Sequence, residues 1–412
     1  MKMTKKRFAR RTAAFGCTLL LAMGFPSQVL ADGPGEAPTE EYLAYMAKLQ
    51  DNHMEYEEIP DLLKNFYGPM KSAYDQVESA EENQSQIVVE YRIIARDLLD
   101  QAQALEDAMD SIDPSDIGDA QAEMIANRVS AKQMRSVAAS MSRSLDVSSK
   151  SSDRTLKQSL NSLVYNVQAQ MNQYEQLVSQ RTVAAKSLEV AETAKQIQQT
   201  MEAQGMAVSG DVLSAAAQLA SAKSTLSSLD GVLGQLHKNL CYFTGYGNDG
   251  NPVIGPVPSA DVAAIAAIDV NADKEKAVGN NYELISMRTS TGGGMTDLQV
   301  RTTKTTTQTK NKLRNVEYSE DTLRSNIQTL YDTILEQKAA YDSAATALQS
   351  AQITWDAAQI QRQNGSLSQI GYLQQELAYL QAQSAFDCAD LALQQAMQNY
   401  DWAVKGVTVS TE

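Results

Sequence analysis

From Leu323 onward, apolar side chains recur at alternating steps of four and three: Leu323, Ile327, Leu330, Ile334, Gln337, Tyr341, Ala344, Leu348, Ala351, Trp355 and Ala358. Ten of these eleven positions are apolar or aromatic, a seam sustained for five heptads with Gln337 as its single polar interruption. Such spacing predicts a long α-helix whose stripe must be covered by a partner helix. The same register moved back by 160 residues gives Leu163, Val167, Gln170, Tyr174, Leu177, Arg181, Ala184, Leu188, Ala191, Lys195 and Gln198, a noisier copy. The offset also pairs Gly205 with Gly365, Leu213 with Leu373, Ala222 with Ala382 and Leu233 with Leu393, so a break and a second arm recur together. The pattern reads as an internal duplication, against the alternative of coincidence between two Ala/Gln-rich helices. In each copy a long helix turns at a glycine, and a helix of about 35 to 40 residues, about 50 to 60 Å, returns against it.

Proline is missing between Pro114 and Pro252 and after Pro258. Because an interior proline costs a helix about 3 kcal/mol, these gaps favour very long helices. Helices are expected over about 70–112, 117–202, 210–243, 296–361 and 367–404. The resulting fold class is all-α, built of long antiparallel coiled-coil hairpins. The expected organisation is a signal peptide (1–31), an opening segment (32–69) with a short helix near 39–50, and a first hairpin repeat (70–245). A Gly/Pro-rich linker (246–279), a second hairpin repeat (280–406) and a short tail (407–412) complete the chain.

Basic residues Lys2, Lys5, Lys6, Arg7, Arg10 and Arg11 precede an apolar stretch through Leu19, Leu20 and Leu21, followed by Val29-Leu30-Ala31, which predicts an export signal cleaved after Ala31. Cys17 opens that stretch instead of following it, which argues against lipidation. Without the signal, 29 basic residues face 50 acidic ones, so the net charge moves from −15 to −21. A chain this acidic lacks the basic face that nucleic acid requires. The two remaining cysteines, Cys241 and Cys388, fall about 13 residues apart along the duplicated helix axis, roughly 20 Å, and are expected to be unpaired. Beyond the signal no run of 18 apolar residues and no series of alternating ten-residue segments appears, so the mature chain alone is not expected to cross a bilayer.

The turn Gly205-Met206-Ala207-Val208-Ser209-Gly210-Asp211-Val212-Leu213 resembles the hairpin turn of the TolC family of outer-membrane efflux proteins. The second turn keeps Gly365-Ser366-Leu367-Ser368 and Leu373 but carries Gly371 where an acid is expected. Asn280-Asn281-Tyr282-Glu283-Leu284 resembles the element that opens each family repeat, and Tyr400-Asp401-Trp402-Ala403 resembles one near its end. The resemblance spans roughly 155–245 and 275–406. It implies a homotrimer in which four helices per chain, twelve in all, close into an α-helical duct. The tips, comprising Gly205, Met206, Ala207, Val208, Ser209, Asp211, Gly365, Ser366, Leu367 and Ser368, would meet a periplasmic adaptor coupled to an inner-membrane pump. One departure matters: the family inserts β-strand pairs where this chain has only the short loops 113–118 and 290–294. These are too short for strands of about nine to eleven residues, so a relative without a barrel, exported from a cell with one membrane, is an open reading.

No catalytic constellation, cofactor motif or metal-ligand spacing stands out, and the chain is read as a non-enzyme. His53 and His237 are the only histidines; Glu55, Glu57 and Glu58 read as a solvated acidic face. Asp110, Asp113 and Asp116 lack EF-hand spacing and read as helix-stop chemistry, and Gly292-Gly293-Gly294 has no following Lys-Ser/Thr and reads as a turn. Tyr331, Tyr341 and Trp355 could bind a ligand, but Tyr341 and Trp355 fall on the seam and are expected to fill the helix interface. The leading function is a passive, exported efflux or secretion duct component; the alternative is a secreted coiled-coil structural or surface-binding protein with no transport role.

Overall fold

The computed structural model describes residues 45–49, 51–107, 117–247, 251–291 and 306–409. The chain divides into two units at Ala47/Lys48; of the first only 45–47, helical in conformation, are described, and all the other described residues form the second. The second unit begins with β1 (His53–Met54), a 3-10 turn (Tyr56–Glu58), α1 (Ile59–Phe66), α2 (Gly68–Asp107), α3 (Ile117–Ala203) and α4 (Ser209–Thr244). After these come β2 (Val253–Ile254), α5 (Val262–Ile265), α6 (Val270–Asn280), α7 (Tyr282–Thr291), α8 (Thr306–Gln363) and α9 (Gln369–Val404). The expected long helices are all present. Predicted residues 108–112 and 296–305 lie outside the described residues, as do 113–116, 292–294 and most of the short helix near 39–50.

The 87 residues of α3 make one unbroken helix, about 130 Å long. Its first half is paired with α2 and its second half with α4, while α9 lies along its other side and α8 along α9. The order α4, α3, α9, α8 is therefore a layer of four helices, two hairpins side by side. The α2–α3 pair continues the axis of α3 beyond that layer as a separate helical arm.

Every position of the 323–358 seam is buried or half-buried, and Ile327 and Ile334 have no exposed surface. They pack with Leu330, Leu393, Ala396 and Tyr400 in one cluster. Full burial of each aliphatic side chain contributes about 1.5–3 kcal/mol, which the α8–α9 pairing realises. Of the positions read in the same register over 163–198 only Arg181 is exposed, and its Nε lies 2.5 Å from Asp230 Oδ1 on α4. The polar residues on that stripe have a physical origin: α3 has neighbours on two sides, so its buried surface is wider than one stripe.

The stretch 246–279 holds more structure than a linker. Asp261 and Asp269 cap α5 and α6 by accepting two backbone N–H groups each. β2 pairs in parallel with β1, through His53 with Val253 and Met54 with Ile254, the one departure from an all-helical fold among the described residues. Carboxylates on the layer hold this segment down: Glu175 Oε2 accepts from Val257 N at 2.6 Å and Asp390 Oδ1 from Ala260 N at 3.1 Å.

Candidate docking site at the hairpin tips

The two turns close in the same way. At the first, Gly205 takes φ +71°, its N–H donates to Glu202 O (2.9 Å), and Met206 N–H donates to Met201 O (2.8 Å). At the second, Gly365 takes φ +71°, with Gly365 N–H to Arg362 O (3.1 Å) and Ser366 N–H to Gln361 O (2.9 Å). Each is a Schellman closure, and every partner is displaced by 160 residues. A Cβ at either glycine would meet no atom within 4 Å, so the requirement for glycine is the left-handed backbone alone.

The returning helices start differently. Asp211 reaches back so that its Oδ2 accepts from Val208 N–H at 3.2 Å, whereas at the second tip Ser368 Oγ accepts from Gly371 N–H at 3.2 Å. Each tip thus uses the opposite half of a capping box. The glycine standing where the family resemblance expects an acid has a further role, since a Cβ at Gly371 would lie 3.0 Å from Leu367 Cδ1. Without one, Leu367 folds down over the helix start and is half-buried. Met206 and Val208 are 62% and 68% exposed, while the equivalent Ser366 and Ser368 carry no apolar group and bond their hydroxyls to the backbone, Ser366 Oγ donating to Gln361 O at 2.9 Å and Ser368 Oγ accepting from Gly371 N–H. The first tip therefore shows its apolar groups and the second covers its own. Ala207 is half-buried; Ser209 and Asp211 are exposed.

The other predicted sites fall into structural roles. His237 Nε2 lies 3.1 Å from Pro252 O, and its Nδ1 lies 3.5 Å from Cys241 Sγ. Cys241 is buried, Cys388 half-buried, and no disulfide joins them. Glu58 departs from the expected solvated face: it is buried and pairs with Lys48 at 3.1 Å, while Glu55 and Glu57 stay exposed. His53 lies in β1. Asp110, Asp113, Asp116 and Gly292-Gly293-Gly294 lie outside the described residues. The aromatic residues fill interfaces: Trp355 packs on Tyr372 (4.9 Å), Tyr341 on Phe386 (5.2 Å) and Tyr331 on Tyr400 (6.3 Å).

The segments Asn280–Leu284 and Tyr400–Ala403 meet where the two hairpins join. Asn281 Oδ1 accepts from Leu284 N–H to start α7, and Asn280 Nδ2 donates to Val404 O at the end of α9. Tyr400 OH donates to Asp273 Oδ2 at 3.1 Å, and Trp402 Nε1 donates to Gln168 Oε1 on α3 at 3.2 Å. Around them Gln398 and Gln394 reach Gln168 and Tyr56, whose hydroxyl is pushed up to about 12 by burial, against the opposing hydrogen bonds of those amides. The arrangement is a polar clasp joining the two hairpins.

Sequence reasoning missed the outward-facing residues of the layer's edges. On α4 Leu213 is 73% exposed; on α8 Leu335, Ile353 and Ile360 are exposed along one face, opposite the buried Trp355 and Ala358. Leu213 lies near one tip, eight residues after Gly205, and Ile360 near the other, five residues before Gly365. Their signal was available as apolar residues off the seam register.

No protein-family model matches the sequence, and no curated protein matches it. Solved structures do. The chain is similar to CusC, a protein described as changing conformation during folding and transmembrane channel formation, at 11% identity and a TM-score of 0.52, over 85% of this chain and 95% of that one. It is also similar to the CmeC outer membrane channel of Campylobacter jejuni (15% identity, TM-score 0.43, 66% of this chain and 68% of that one). The open state of the MtrE outer membrane channel of Neisseria gonorrhoeae matches at 12% identity and a TM-score of 0.39, over 87% of this chain and 90% of that one. The likeness to CusC shows that the chain has the TolC-like helical-hairpin fold. Among the described residues no helix is long and apolar enough to cross a membrane.

Proposed function

We propose that this chain is a passive, exported duct component of an efflux or secretion assembly in the cell envelope, acting as a homotrimer whose hairpin tips dock an adaptor that serves a pump. The observation that carries the reading is the four-helix layer with two unlike open edges. One edge, α4, offers Leu213; the other, α8, offers Leu335, Ile353 and Ile360. Unlike edges associate head to tail, and a head-to-tail contact with rotation closes into a ring. Three copies would bring twelve helices around one axis. The reading gives the chain no chemistry: it conducts, and energy comes from elsewhere.

The tips supply the adaptor contact. Exposed Met206 and Val208 lie at the end of a hairpin with no core beyond them, which suits burial against another protein. Sedimentation or light scattering of the processed chain at tens of micromolar tests the assembly; a strictly monomeric species contradicts it and leaves the coiled-coil spacer reading in its place. Val208→Asp and Leu367→Asp test the docking by pull-down of the adaptor. Val208→Asp is the cleaner variant, because Leu367 also covers the start of α9; capture undiminished by Val208→Asp with helicity intact would overturn the docking claim.

A further inference from the structure

The four-helix layer has two broad faces of different composition. One carries the folded segment 251–281. On α4 His237 Nε2 meets Pro252 O, on α3 Glu175 accepts from Val257 N–H, on α9 Asp390 accepts from Ala260 N–H, and on α8 Arg324 Nε donates to Glu275 Oε1 of α6 at 2.9 Å. Residues seven apart in a coiled coil share a face. Steps of seven from these contacts bring Asp230, Lys223, Glu189, Glu376 and Lys338 to the same face. Ion pairs join them to one another and to their neighbours, Arg181 with Asp230, Lys223 with Glu192 and Lys186 with Glu376.

The opposite face is marked by a hollow between α4, α3 and α9, lined by Ser221, Thr225, Ser187, Ala194 and Gln374 among others. Each of these stands two residues, about 200° of helix turn, from a charged residue of the first face. Ser221 and Thr225 flank Lys223, Ser187 precedes Glu189, Ala194 follows Glu192, and Gln374 precedes Glu376. On α8 the same rule sets Glu336 opposite Lys338 and Thr354 opposite Asp356. Carried along in steps of seven, this face shows Gln173 and Gln180 on α3, Ser228 on α4, Ser350 on α8 and Gln381 on α9, all exposed. Residues 163–203, 209–244, 323–363 and 369–404 hold 22 charged side chains, yet only Asp211, at the tip, and Glu336 fall on it.

We infer, resting on the proposed ring, that this uncharged face lines its bore and that the bore passes polar solutes without selecting for the sign of their charge. Volume decides which face turns inward. Twelve helices spaced about 8–10 Å apart make a circle of axes about 30–38 Å across, and their own thickness leaves a bore of about 20–28 Å. Three copies of the segment 251–281, with helices about 10 Å thick, would fill that space, so the face that carries them turns outward. On the wall left inside, serine and threonine hydroxyls and glutamine amides both donate and accept, and they solvate a cation or an anion alike. Charge selection in a pore comes from rings of like-charged side chains. Away from the tip this wall has one such ring, the three copies of Glu336 at a single height.

The test uses the full processed chain in a Cys241→Ser/Cys388→Ser background, with Gln381→Cys on the uncharged face or Gln383→Cys on the opposite face of the same helix. Both positions are exposed, and circular dichroism checks that helicity is retained. Light scattering reads the assembly first: a strictly monomeric chain overturns the ring and the bore together. In the trimer, a maleimide borne on a gold particle about 100 Å wide, several times the bore, is expected to label Gln383→Cys and to spare Gln381→Cys. Equal labelling of the two in a trimeric chain, or labelling of Gln381→Cys alone, overturns this inference and leaves the ring standing. Charge is read with two small thiosulfonates, one sulfonated and one carrying a quaternary ammonium, each rate divided by that with free mercaptoethanol. At Gln381→Cys the two quotients are expected to agree within about threefold, and Glu336→Gln to remove what difference remains. At Gln383→Cys, seven residues from both Glu376 and Asp390, the cationic reagent is expected to be favoured about fivefold at low salt. A larger preference than about threefold at Gln381→Cys, or one that survives Glu336→Gln, would reveal a charged wall and overturn the inference.

Discussion

The α8–α9 hairpin and the α2–α3 arm are both antiparallel helix pairs with heptad seams, yet they are built from opposite materials. The hairpin interlocks Ile327, Leu330, Ile334 and Leu393; the arm closes on Val88, Ala95, Ala102, Ala131 and Ala138. Large aliphatic residues at a seam contribute about 1.5–3 kcal/mol each on burial, whereas an alanine methyl contributes only a fraction of that. The hairpin thus carries its stability inside the pair. The arm keeps its larger apolar residues on its outer faces, where they contribute only when another surface covers them. Periodicity sets the geometry of a coiled coil, but side-chain volume at the seam decides whether the pair is self-sufficient.

Emptying the strong seam should produce the largest effect. Ile334→Ala leaves a cavity at a position with no exposed surface and is expected to cost about 2–5 kcal/mol, read as faster amide hydrogen exchange throughout α8 and α9. A loss below about 1 kcal/mol would remove the contrast between the two pairs. Filling the weak seam comes next. Ala95→Leu forces apart helices that touch through methyl groups and is expected to cost about 1–3 kcal/mol, confined to α2 and the first half of α3. If exchange in α8 and α9 rose as well, the arm would not be a separable unit.

The same difference governs what was legible in the sequence. Leucine, isoleucine and tyrosine at steps of three and four stand out against Gln, Ser and Asp, so the 323–358 seam and the noisier 163–198 stripe could be read directly, and with them the layer of hairpins. Gly205 and Gly365 were legible because few other residues tolerate a left-handed backbone. Ala95, Ala102, Ala131 and Ala138 recur just as regularly, but in an alanine-rich chain their period has no contrast. Asp261 and Asp269 ahead of Ala-rich stretches are capping signals, which could have turned part of the Gly/Pro-rich linker into two short helices. The contrast between the tips was beyond reach: that Leu367 lies down over Gly371 follows from an absent Cβ and a local approach no pattern records.

Where the strong pairs turn, the effects become smaller and should be matched. Gly205→Ala and Gly365→Ala each place a Cβ on a backbone at φ +71° in open space, so both are expected to cost about 1 kcal/mol, felt only by amides near the turn. Unequal costs would mean that one tip has a neighbour the other lacks. Gly371→Ala breaks the symmetry deliberately, because its methyl group competes with Leu367 for the same space. It should lift Leu367 into solvent and make the second tip as apolar as the first, measurable as increased binding of a hydrophobic fluorescent dye.

The smallest effect is expected at the carboxylates between the hairpins, where neither seam decides stability. Burial raises the Glu175 carboxyl above its ordinary value, and Asp387 and Asp390 push it further up, against the stabilising N–H of Val257. Asp387 is raised by burial and by Asp390, with Ser179 opposing. A raised folded-state value means that the folded chain holds its proton to higher pH than the unfolded chain does. The associated stability is present below the unfolded value of 4.5 for Glu175 and is lost as pH rises through the raised folded value. Glu175→Gln keeps an oxygen to accept from Val257 N–H and removes the charge. Thermal unfolding of this variant should therefore depend less on pH than the parent does from mildly acidic conditions upward, with a melting temperature at neutral pH equal to the parent's or slightly higher. Parallel profiles for the two chains would show that ionisation of Glu175 is not coupled to folding, and would leave the polar clasp around Gln168, Gln398 and Trp402 as the link between the hairpins.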